Sequence, residues 1–153
     1  MNYWLMKSEP DCFSIDDLAK RPKKTEAWDG VRNYQARNFM RDGMKVGDGV
    51  FFYHSNCEIP GIVGLATVAS TAYPDPTQFI KDHEHYDATA KPEEPRWLLV
   101  DVKYQRKLKR TISLAELKAK EADLPGFQLL MKGNRLSIIP VRAEHWDYVL
   151  KLE

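Results

Sequence analysis

Residues 28 to 38, WDGVRNYQARN, gather an aromatic face (Trp28), a guanidinium (Arg32) and three side-chain amides (Asn33, Gln35, Asn38) with no apolar run to bury. Such groups make turns and cap helices, and they also read a planar, hydrogen-bonding ligand such as a nucleobase. A base held outside its stack must regain stacking and edge hydrogen bonds, or its extrusion costs a few kcal/mol without return. One aromatic face offers about 1–3 kcal/mol per base. Trp28 is the first candidate for that face, with Tyr53 or Trp4 as a second wall. Arg32 can fork to a phosphate or stack on a base, and its plainer alternative is an ion pair with Asp29 or Glu9. Asn33 is a helix cap or an edge reader. Ser8, Ser55 and Asn56 supply paired donors and acceptors that fit a cytosine-like or an adenine-like edge. Arg37 and Arg41, one helical turn apart, are surface charges first and phosphate contacts second, and Arg135 in GNRLS is a further phosphate candidate.

Residues for bond-making chemistry are sparser. The chain has no GxSxG elbow, no P-loop and no GxGxxG after a strand. His83-Glu84-His85 sets two imidazoles two residues apart beside Asp82 and Asp87, but that spacing suits a strand better than a proline-bounded polar loop. Cys57 near His54 has no third group to orient it, and Ser8 between Lys7 and Glu9 reads as a hydrogen-bonding group at a strand end. The expectation is binding rather than turnover, with no metal and no cofactor.

These groups need a scaffold. NYWLMKS reads as a strand ended by Glu9-Pro10. Ser14 caps a helix from Ile15 to about Lys20, broken by Arg21-Pro22. Asn33 caps a second helix from Tyr34 to about Asp42, with Gly43 as a left-handed stop. Val50–His54 and 61–72 pair as a hairpin, and the proline-rich segment 73–96 is a long loop with a helical turn near Gln78, the kind of loop that covers something. In the next strand Leu98, Val100, Val102 and Tyr104 share one face. A capping box at Ser113–Glu116 opens a helix to about Lys120. A short helix (125–131), a strand (134–139) and a helix (141–150) complete the chain. The mixture is α+β, not regular βαβ alternation.

The 153 residues carry 23 Lys and Arg against 22 Asp and Glu, so no global field draws the protein to nucleic acid. The charge is local: basic residues cluster at 20–24 and 103–110, acidic ones at 82–94. No apolar run is long enough to span a bilayer, no secretory signal opens the chain, and two cysteines make no disulfide framework. One domain, 1–153, in the cytoplasm is the expectation.

KSEP (7–10), WDGVRNYQARNFM (28–40), GDGVFFYHSN (47–56), GIVGLATV (61–68), AYPDPTQF (72–79), WLLVDV (97–102) and RLSIIPV (135–141) stand in the order seen in EVE-domain proteins of the PUA-like superfamily. The resemblance runs from Tyr3 to about Trp146 and departs at His83–Ala88, where a more proline-rich loop is expected. It implies a PUA-like β pseudobarrel, a curved mixed sheet with short helices around it and a concave pocket. It also implies a non-enzymatic reader of modified bases in DNA or RNA, for methylated or hydroxymethylated cytosine or methyladenine. By analogy with the related YTH readers, Lys7, Ser8 and Trp28 match pocket positions. An effector protein would supply any downstream action. The rival readings are a small-molecule or anion sensor, and an enzyme acting on modified nucleosides with Lys7, Glu9 and His54 as acid and base.

Overall fold

A computed structural model describes residues 1–153. Its centre is a curled six-stranded sheet built from β1 (Tyr3–Ser8), β2 (Thr25–Ala27), β3 (Gly49–His54), β4 (Gly61–Val68), β7 (Asp101–Ser113) and β8 (Ile138–Val141), in the order β2-β7-β4-β3-β1-β8. β1 runs parallel to β3, and every other pairing is antiparallel. A two-residue ladder joins β5 (Tyr73–Pro74) to β6 (Leu98–Leu99). Four short helices surround the sheet: α1 (Ile15–Lys20), α2 (Tyr34–Asn38), α3 (Leu114–Ala119) and α4 (Ala143–Leu150). This is the α+β, curled mixed sheet expected of a PUA-like half-barrel, and no helix is long and apolar enough to cross a membrane.

The two-residue period of the strands divides the interior. Trp4 and Met6 of β1, with Val50 and Phe52 of β3, join one apolar cluster; Leu5, Phe51 and Tyr53 between them join the other. The first cluster takes α1 and Trp28, and the second takes α3, α4 and Phe127. Close approach of α1 depends on Gly64, where a Cβ would lie 2.6 Å from Ile15 Cδ1. Pro140 is tolerated because β8 is an edge strand.

Several boundaries differ from the sequence expectation. The second helix leaves α geometry after Asn38 and continues as a π turn, Phe39–Gly43. Gly43 is not a left-handed stop; its missing side chain makes room for Trp4, whose ring edge would lie 2.8 Å from a Cβ. The capping box at Ser113 is half made. Ser113 accepts from the Glu116 N–H, but the Glu116 carboxylate turns to Arg110 at 2.6 Å. The strand expected at 134–139 begins at Ile138, because Asn134 is spent on a turn that bonds Gln128 O and Leu136 N. Residues 125–131 form only a 3₁₀ turn, Gln128–Leu130. The strand that opens at Gly61 ends at Val68, and the basic run 103–110 lies within the 13-residue β7.

Candidate base-binding cavity

A cavity of about 610 Å³ opens where β1 ends, within the range of about 300–1,000 Å³ usual for small-ligand sites. Lys7 and Ser8 come from the end of β1; Glu9, Cys12 and Phe13 from the following turn; Arg21 from the end of α1. Glu26 and Ala27 belong to β2, and Trp28, Asp29 and Gly30 follow it. Glu84 and His85 descend from the long loop.

Each wall is fixed from behind. Ser8 Oγ donates to Phe13 O at 2.6 Å, which closes the turn and leaves the hydroxyl oxygen as an acceptor. Trp28 is only 8% exposed, set edge-on to Phe52 (5.4 Å) and Phe13 (6.2 Å), so it serves both core and cavity. The Arg21 guanidinium lies 5.1 Å from the Phe13 ring centre and bonds Glu26 at 2.6 Å. The Lys7 ammonium lies 6.0 Å from the Tyr53 ring centre, and loss of hydration lowers its pKa.

The long loop is tied down by Arg32. All five of its N–H donors are spent: on Val31 O, on the buried Asp75 carboxylate, on Thr77 Oγ1 and twice on His85 O. Asp75 also accepts from Gly30 N and from Thr77. Burial alone would raise the Asp75 pKa, but the bonds from Thr77, Gly30 and Arg32 outweigh it and hold the carboxyl below its usual range. The loop thereby lays the His85 ring flat on Gly30, where φ is +80° and a Cβ would meet Cε1 at 2.5 Å. His85 Nδ1 is buried there without a hydrogen-bond partner. Asp29 has much of its surface open, yet its carboxyl loses hydration towards the cavity wall, and this, with the charge of Asp75, raises its pKa.

Of the residues expected from sequence, Lys7, Ser8 and Trp28 meet at this cavity. Arg32 stands behind it with no free donor, and its ion pair is with Asp75 rather than Asp29 or Glu9. Asn33 caps α2 by accepting from Ala36 N. Tyr53 is 3% exposed in the opposite core cluster. Ser55 continues the β1–β3 pairing through its backbone, and Asn56, at φ +51°, holds Glu9 from outside. Trp4 is core, bonded to Asp48. Arg37 is tied to Asn38 and to Arg96 O; Arg41 pairs with Asp42; Arg135 is exposed. His83 and His85 sit 4.9 Å apart between ring centres, in a chain with no group of three ligating side chains placed to hold a metal ion.

The sequence reading missed Phe13, Arg21, Glu26, Asp29 and His85 as wall residues. Asp29-Gly30 lay inside the very motif that drew attention, and the length of the 73–96 loop was the one signal for His85.

The EVE domain family model matches residues 2–152. Thymocyte nuclear protein 1 of mouse is 49% identical over 99% of this chain and 74% of its own length. A crystal structure of human THYN1 protein in complex with 5-methylcytosine-containing DNA superposes with a TM-score of 0.94 at 48% identity, covering 99% of this chain and 97% of that one. A protein of Pseudomonas syringae superposes at 0.92 and 48% identity, covering 98% of each chain.

Proposed function

The chain belongs to the EVE-domain family, and from that membership we propose that it binds DNA by taking one modified cytosine, extruded from its strand, into the cavity at the end of β1. The observation that carries this reading is its likeness, over nearly the whole of both chains, to the human relative held with 5-methylcytosine DNA.

The cavity chemistry supports a cytosine. Its wall carries Glu9, Glu26, Asp29 and Glu84 against Lys7 and Arg21, and the Arg21 charge is already paired with Glu26. Such a wall favours a base with an amino donor over a phosphate. Cytosine presents its N4 amino group, which a carboxylate accepts. The Asp29 carboxylate, at the cavity wall, can accept from N4. Ser8 Oγ is a second acceptor for the base edge, and Lys7 sets a positive charge at the cavity wall. Phe13 and the exposed edge of Trp28 form the apolar surface for the ring and its methyl group. Arg32 and Asn33 then serve as framework, Tyr53, Ser55 and Asn56 as support, and Arg135 remains the phosphate candidate among the three arginines.

This reading makes residues 1–153 one module that returns its ligand unchanged rather than an enzyme. It also keeps the protein in a reducing cytoplasm, which suits the free thiols of Cys12 and Cys57. Equilibrium binding to DNA and RNA oligomers carrying cytosine, 5-methylcytosine, 5-hydroxymethylcytosine, adenine or N6-methyladenine tests it. Preference for a modified cytosine in DNA is expected, and Asp29→Ala should weaken that binding about 10-fold, the loss of one buried hydrogen bond to the base. Equal affinity for every oligomer, unchanged by Asp29→Ala, would sink the cavity assignment.

A further inference from the structure

The turn between α1 and β2 carries a feature that folding alone does not ask for. Lys23 and Lys24 are consecutive, exposed and both left-handed, at φ +55° and +53°. That region is costly for residues with a Cβ and natural for glycine or asparagine. Their side chains do not repay the cost in the fold. Neither joins an ion pair, and the one aromatic contact is Lys24 Nζ at 5.6 Å from the Tyr104 ring centre. The turn itself is closed by backbone groups, Lys24 N to Arg21 O and Thr25 Oγ1 to Lys23 O. It stands at the cavity mouth, because Arg21 before it and Glu26 after it both line the cavity and are bonded to each other. Lys103 extends the cationic lip, being paired in register with Thr25 and exposed. Farther along β7, Arg106, Lys107 and Arg110 are neutralised by Glu153, Asp16 and Glu116. Lys23, Lys24 and Lys103, none with a carboxylate partner, stand together at the strand pair that brings Glu26 to the cavity.

We propose that the Lys23–Lys24 turn grips the phosphates flanking the extruded base, holding the strand against the mouth while the cavity reads the base. This rests on the DNA-binding reading above and adds to it the surface that supplies affinity, separate from the groups that supply preference. The turn's strain then has a function: it projects two ammonium groups outward where a relaxed glycine turn would carry none.

The test is binding by fluorescence anisotropy over a range of KCl, to a duplex with one 5-methylcytosine and to its unmodified twin. Wild type, Lys23→Gly, Lys24→Gly, the double variant and Lys45→Gln, an exposed control in the turn before β3 that does not line the cavity, are compared. Each glycine should lower affinity about 3- to 10-fold on both duplexes, and should flatten the slope of log K against log salt by about 0.9 for each phosphate no longer neutralised. The ratio between the duplexes should stay as in wild type. Melting temperatures should hold or rise, because glycine suits these positions, so weaker binding will not reflect unfolding. Affinity and slope equal to wild type in the double variant would overturn the proposal. A wild-type chain that binds neither duplex overturns both proposals. Loss of slope in the variants without any base preference leaves the grip standing and removes the cavity reading.

Discussion

Arg32 shows how a side chain of the right type can be placed for the scaffold instead of the ligand. Its type and motif suggested an anion contact, and its surroundings decide otherwise: Asp75 is wholly buried and relies on it. Removing one partner of a buried pair leaves an uncompensated charge, at a cost of about 3–5 kcal/mol. Arg32→Ala should lose stability of that order in urea denaturation and release the loop that carries His85. A loss under about 1 kcal/mol would show that the pair does not hold the loop. Trp28 was legible as a wall because a tryptophan in a polar loop is unusual. Its depth in the core was not legible, and truncating it to alanine would also cost about 3–5 kcal/mol through the void left behind. Asp29, at the surface of the cavity, is the cleaner probe of binding.

Between elements, the join of β3 to α1 depends on a neutral histidine. His54 Nε2 accepts the Ile15 N–H at 3.1 Å, one of the free donors of the first helical turn, and desolvation lowers the His54 pKa from 6.5. Below pH 6.5 the unfolded chain takes up a proton that the folded chain refuses. The contribution is therefore complete above 6.5 and declines as the pH falls from 6.5 towards the lower folded value. His54→Gln keeps an acceptor that does not titrate. Its stability should fall less steeply than wild type between pH 7.5 and 5, the difference staying within the one-proton limit of about 1.4 kcal/mol per pH unit. Parallel curves would remove His54 from the acid response.

The same scale shows why sequence reading found the elements better than their ends. Ser14 with Asp17 makes a full capping box and Asn33 caps α2, both local devices visible in sequence. The Ser113 box is only half made because Arg110, three residues earlier on the same strand, competes for the Glu116 carboxylate. Gly43 answers to Trp4, nearly forty residues away, and no local pattern reports such a contact.

Across the whole molecule the net charge of +1 conceals a local separation of charge. Carboxylates collect inside the cavity, while unpaired lysines sit on its lip. The motif order made the curved sheet and the Lys7, Ser8 and Trp28 positions readable in advance. It did not reveal Phe13, Arg21, Glu26 or His85, which are brought together by the pairing of β2 with β7 and by the Arg32-anchored loop. The proposed separation of affinity from preference carries separate salt dependences. Contacts to phosphate weaken as salt displaces them, whereas hydrogen bonds to an enclosed base do not. The most direct measurement is therefore the ratio of wild-type affinities for duplexes with one 5-methylcytosine or one cytosine at the same position, followed from low to physiological salt. The account predicts a ratio above about 10, nearly constant while both affinities fall. A ratio of one at every salt concentration would contradict it.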